Sequence, residues 1–122
     1  YNANPSSMAD ALDAFDRSTP QNIARFYVLG AMDELGTSAS AHHKAIGQLL
    51  KLRPKDRAAF VGSKELTNAY ASAISPQQYI CTDSVEKIKS TIAQFQGAIF
   101  LKGSRNYSLE KLLPSTNSKL KP

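Results

Sequence analysis

Lys102, Gly103, Ser104 and Arg105 stand in a row, placing two cations and a hydroxyl around a glycine whose backbone is permissive. Such a group can hold a carboxylate or a phosphate, with arginine binding bidentately. The same four residues could equally be a polar turn whose charges are solvated, and spacing alone weighs the two evenly. Asp33 and Glu34 could serve as general acid or base, although adjacent acids in a loop more often cap the next helix or face water. His42 and His43 are neighbours. On a helix they point about 100° apart and cannot chelate one metal as an i, i+4 pair could, so a surface or capping role is expected. Cys81 ends an apolar run with no basic residue beside it and reads as a small buried hydrophobe without chemistry. No Cys or His pair has zinc-ligand spacing, so no metal site is expected. The sequence also contains no GxxxxGK[ST], so it has no loop that could cradle a triphosphate by itself.

These residues need elements to position them. Asn4-Pro5 reads as a helix cap and first turn, and Met8, Ala9, Leu12 and Phe15 recur at helical spacing, predicting an amphipathic helix from 5 to about 17. A cap that well formed at residue 4 is expected to follow a preceding segment of a longer polypeptide. "ARFYVLG" is a short aromatic and β-branched run closed by Gly30, the pattern of a strand buried on both faces. Ala41, Ala45, Ile46, Leu49 and Leu50 mark a second helix, expected to end near Arg53-Pro54. "RAAFVG", "KELTNAYASA" and "QQYIC" follow as strand, helix and strand. In "DSVEKIKSTIAQF" the spacing of Asp83 and Glu86 is that of a capping box ahead of the apolar stripe Val85, Ile88, Ile92 and Phe95. "GAIFLKGSRNYSLEKLL" supplies a last strand, a glycine-containing loop and a short helix.

Strands alternating with helices imply a parallel sheet covered on both sides, here an α/β, Rossmann-like three-layer sandwich. In such sheets ligands gather at the carboxyl ends of the strands. Three loops lie there: Gly30 to Thr37, Gly62 to Lys64, and Lys102 to Tyr107. The tail 114–122 lacks apolar periodicity and is read as disordered.

With 122 residues, 42% hydrophobic and 20% charged, the chain has the size and composition of one globular domain. No apolar run approaches the roughly 20 residues of a membrane span. The net charge of +5 permits anionic partners. Lys51, Arg53, Lys55 and Arg57 would be the basis of a nucleic-acid surface, but aromatic residues are sparse among them and the charges follow a helix end, where cations offset the dipole. No nucleic-acid partner is expected.

Four ordered stretches, "YNANPSSM", "VLGAMDELG", "HKAIG" and "LKGSRNYSLE", closely resemble the C-terminal domain of the Mur ligases over residues 1–113. The resemblance is strongest to members that add D-alanyl-D-alanine to UDP-N-acetylmuramoyl-tripeptide in peptidoglycan synthesis. It implies a cytoplasmic bacterial enzyme of three domains, of which this chain is the third, closing over an N-terminal UDP-sugar domain and a central ATPase. ATP and Mg2+ would be bound mainly by the central domain. ATP phosphorylates the terminal carboxylate, and the incoming amine attacks the acyl phosphate. Carried over by position, Asn2 and Asn4 would approach the nucleotide. Lys102, Ser104 and Arg105, with Met32 and Glu34, would bind substrate, and Ala31, Asp33 and His43 would organise the loop.

Two positions depart from the family pattern. Gly30-Ala31-Met32 stands where Gly-Asp-Met is usual, so a carboxylate is missing, and Ala31→Asp is expected to lower the Michaelis constant for the dipeptide. Leu109 replaces a usual Met before Glu110, a volume-conserving exchange. A stand-alone binding module that kept the fold without ligase activity is the alternative, and Ala31 is the feature that keeps it open.

Overall fold

The computed structural model describes residues 3–113. Helix α1 (Pro5–Ser18) starts as predicted: the Asn4 side chain accepts from the Ser7 amide, Ser7 caps back onto the Asn4 amide, and Pro5 occupies the first turn. Strand β1 (Arg25–Gly30) follows, buried at every position, then α2 (Ala39–Leu49) and β2 (Arg57–Val61). Helix α3 (Lys64–Ala71) is capped by the Ser63 side chain. Strand β3 (Tyr79–Thr82), α4 (Lys89–Gln94) and β4 (Ala98–Lys102) complete the order.

The four strands form one parallel sheet in the order β3-β2-β1-β4. Side-chain alternation divides its two faces. Tyr27, Leu29, Ala58, Phe60 and Phe100 face Met8 and Leu12 of α1, Ile46 of α2 and Tyr70 of α3. Phe26, Val28, Ala59 and Val61 face Ile88, Ile92, Leu109 and Leu112 on the other side. Central β1 therefore reads as a continuous apolar run because successive residues serve two cores. The order reverses beside β1: β2 lies on one side and β4 on the other, which places the topological switch between the carboxyl ends of β1 and β4.

Several local expectations are corrected. α2 ends at Leu49 rather than near Arg53-Pro54, because Leu50 takes an extended backbone and its amide bonds the Gly47 carbonyl. The Asp83 and Glu86 spacing is not a capping box: Ser84 is the cap, a 3-10 turn spans Val85–Ile88, and α4 begins only at Lys89. Asp83 instead pairs with Lys87 at 3.0 Å. The short final helix is two 3-10 turns, Arg105–Tyr107 and Leu109–Leu112, separated by Ser108 at φ 51°. The tail 114–122 lies outside the described residues.

The amino ends of the strands carry an ionic network that charge counting had read as dipole-offsetting cations. Asp56 is buried and accepts from the backbone amides of Arg25 and Arg53 and from the Arg53 guanidinium. Burial pushes its pKa up, but these bonds outweigh it and hold the carboxyl below its ordinary value. Arg25, also buried, pairs with Asp16, which accepts from the Tyr27 hydroxyl. Burial, and secondarily Asp16, raises the Tyr27 pKa to about 12.

Candidate functional site

The three predicted loops converge at the carboxyl ends of the strands. Ala31 extends β1, its amide donating to the Val61 carbonyl at 2.8 Å and its carbonyl accepting from the Ser104 amide at 3.3 Å. The first loop is thereby stitched to both neighbours. Gly30 and Gly103 lie back to back: a Cβ added at Gly103 would stand 2.5 Å from the Gly30 Cα, so only glycine fits this crossing. A Cβ at Gly62 would come within 2.7 Å of the Ala31 Cβ, closing the third side.

A pair of buried side chains from the helices supports the first loop. The His43 Nε2 accepts from the Met32 amide at 2.9 Å while its Nδ1 meets the Ala39 carbonyl at 2.6 Å. The geometry calls for a neutral ring with the proton on Nδ1, and burial lowers the His43 pKa accordingly. Tyr70, fully buried, donates to the Gly30 carbonyl at 2.7 Å, stacks on Phe60 and meets His43 edge-on. Burial holds its hydroxyl protonated. His43 thus departs from the expected surface position and is bonded to the backbone of the first loop at Met32. The signal for burial was present: positions 43, 46, 47 and 50 repeat at helical spacing, and all four are buried.

The third loop is joined to the first through a carboxylate. The Ser104 hydroxyl donates to Asp33 Oδ2, as does the Asn106 side-chain amide at 2.9 Å. Ser104 is buried and its Oγ also accepts from the Asn106 backbone amide. Ser104 is therefore engaged in holding the turn, whereas Arg105 is solvent-exposed. Lys102, Arg105 and Glu110 line an open groove of about 600 Å³ together with Leu101, Leu109 and Leu113. Two cations, one carboxylate and an apolar wall could accept a small zwitterionic ligand with short apolar side chains.

The other predicted residues fall as follows. Glu34 is exposed and held at φ 60°, a left-handed conformation that costs a non-glycine residue about 1 kcal/mol. Met32 is buried in the core, so its side chain supports the loop and presents no surface to a substrate. Ala31 is 1% exposed. A side chain at this position stands beside Gly62. Asn4 is exposed with its side-chain oxygen committed to the cap, and Asn2 lies outside the described residues. Cys81 is half-buried on edge strand β3 rather than fully buried, and burial raises its pKa.

An all-parallel α/β domain with a groove of two cations and one carboxylate beside the carboxyl end of its edge strand β4 has the architecture of a ligand-binding or ligand-closing domain of Rossmann-like class. The model of the family described as Mur ligase, glutamate ligase domain, matches residues 1–105, and the chain belongs to that family. A curated relative, UDP-N-acetylmuramoyl-tripeptide--D-alanyl-D-alanine ligase of Treponema pallidum (strain Nichols), is 33% identical over 121 residues, covering 93% of this chain and 26% of the relative. Among solved structures, MurF from Acinetobacter baumannii is 29% identical with a TM-score of 0.70, covering 92% of this chain and 25% of that one. MurF ligase from Thermotoga maritima in complex with ADP is 25% identical with a TM-score of 0.70, covering 99% and 27%. The chain thus spans about a quarter of the length of these relatives. None of them supports a stand-alone binding module. No helix of the described residues is long and apolar enough to cross a membrane.

Proposed function

We propose that this chain works as the C-terminal closing domain of an ATP-dependent amide ligase. The enzyme would add D-alanyl-D-alanine to UDP-N-acetylmuramoyl-tripeptide through an acyl phosphate, in the cytoplasm. The observation that carries the reading is the groove beside the carboxyl end of β4, lined by Lys102, Arg105, Glu110 and three leucines. A dipeptide of this kind is a zwitterion with two methyl groups. Its carboxylate suits Arg105, which can bind it bidentately, and the leucines suit the methyls. The same cations would also stabilise charge developing on an acyl phosphate that approached the groove.

Residues 1–105 match a family whose relatives include an ADP-bound ligase structure, which supports ATP as co-substrate. Among the described residues no three His, Cys, Asp or Glu side chains could jointly hold a metal ion, and the chain has no P-loop. In this reading Mg2+ and the triphosphate are held mainly by a central ATPase domain, with Asn2 and Asn4 approaching the nucleotide. Holding two reacting groups in line is where a closing domain contributes. The test is ATP-, tripeptide- and dipeptide-dependent product formation by the enzyme containing this chain, with Arg105→Ala as the probe. Turnover should fall by two orders of magnitude or more while thermal stability stays unchanged. Wild-type turnover in that variant would reject the assignment.

A further inference from the structure

We propose that Asp33 is a positioning residue for Arg105, acting as a tether that fixes the third loop to the first. This rests on reading the groove beside Arg105 as the dipeptide site. Both bonds to Asp33 end on the same oxygen, Oδ2, and come from Ser104 and Asn106, the two residues that flank Arg105. The chain is therefore pinned on either side of the guanidinium-bearing residue, across 71 and 73 positions of sequence. Ser104 Oγ relays the restraint by accepting from the Asn106 backbone amide at 3.2 Å. The backbone on the other flank is fixed by the Gly30–Gly103 crossing and the bond from the Ser104 amide to the Ala31 carbonyl.

The first loop carries its carboxylate at Asp33, where it is half-exposed and turned toward the third loop, whereas position 31 is enclosed by Gly62. Carboxylate acceptors make stronger bonds than neutral ones, and a loop backbone pinned before substrate arrives loses less entropy on binding.

The experiment uses two readouts. Amide hydrogen exchange of Asn106, Tyr107 and Ser108 in this chain should accelerate at least tenfold in Asp33→Ala, with Val28 and Phe60 unchanged. In the enzyme containing the chain, Asp33→Ala should raise KM for the dipeptide about tenfold and leave KM for ATP unaltered. Asp33→Asn keeps one acceptor oxygen and should stay within about threefold of wild type in both. Ser104→Ala should reproduce the exchange effect of Asp33→Ala, and the double variant should be no worse than either single one. Unchanged loop exchange in Asp33→Ala, or additive effects in the double variant, would overturn the tether. A normal exchange pattern with no dipeptide-dependent activity in the wild-type enzyme would reject the ligase reading while leaving the tether standing.

Discussion

Gly47 sits where α2 crosses α3, and its replacement by alanine sets two physical effects against each other. Helix propensity favours the change, since an interior Gly→Ala gains about 1 kcal/mol. Packing opposes it. A Cβ at this position would stand 1.8 Å from the Tyr70 carbonyl oxygen and 2.7 Å from its carbonyl carbon. Real Cβ atoms essentially never approach below 3.0 Å, so the helices would have to part by about 1.2 Å, and the obstacle is backbone that no rotamer can move. Overpacking of this kind costs about 3 kcal/mol, leaving a net loss of about 2 kcal/mol and a drop in Tm of roughly 8 °C for a domain of this size. Parting the helices would also draw the Tyr70 hydroxyl off the Gly30 carbonyl, disturbing the first loop. Thermal and urea unfolding of Gly47→Ala against wild type measure the outcome. An unchanged or raised Tm would show that propensity outweighs the crossing and would refute the packing argument.

Further outcomes follow from other parts of the fold. The folded pKa of His43 lies below its unfolded value, so its contribution is complete above pH 6.5 and is lost as pH falls through the folded pKa. Urea midpoints measured from pH 7.5 to 5 should decline below 6.5, and His43→Gln should flatten that decline; equal slopes would reject the role given to the ring. Asp56→Ala leaves two backbone amides and the Arg53 guanidinium without their acceptor and should cost about 3 kcal/mol in denaturant unfolding. A loss below about 1 kcal/mol would mean water replaces the carboxylate. Tyr70→Phe removes the partner of the Gly30 carbonyl and should cost about 1–2 kcal/mol, with the Met32 amide exchanging faster; a neutral result would free the loop from α3.

Much of the architecture was legible because each strand and helix announces itself locally. "RFYVLG" is apolar throughout since β1 feeds two cores, and Asn4-Pro5 caps α1 through atoms three residues apart. The three loops were also legible, because the carboxyl-end rule for parallel sheets needs only the strand order of the chain. What could not be read is pairing at a distance. Nothing in the spacing of Asp33 and Ser104 shows that they touch, and nothing in the count of arginines shows that a buried Arg25 pairs with Asp16 or that Arg53 serves the buried Asp56. His43 is an intermediate case. Its adjacency to His42 suggested a polar surface, and the apolar positions chosen for the helix included Ala41, Ala45 and Leu49, which are exposed, whereas the buried face runs through His43, Ile46, Gly47 and Leu50. Ala31 is a related case: a family position specifies a residue type, but only the fold shows that this side chain lies buried beside Gly62.

The central claim is that Arg105 presents a cation to the carboxylate of the incoming dipeptide. Steady-state ligation with D-alanyl-D-alanine, compared between wild-type enzyme and Arg105→Ala, tests it most directly. The account predicts ADP release matched one for one by ligated product in the wild type, and a loss of at least a hundredfold in kcat/KM for the dipeptide in the variant, with Tm unchanged. Equal kcat/KM in the two enzymes would contradict it.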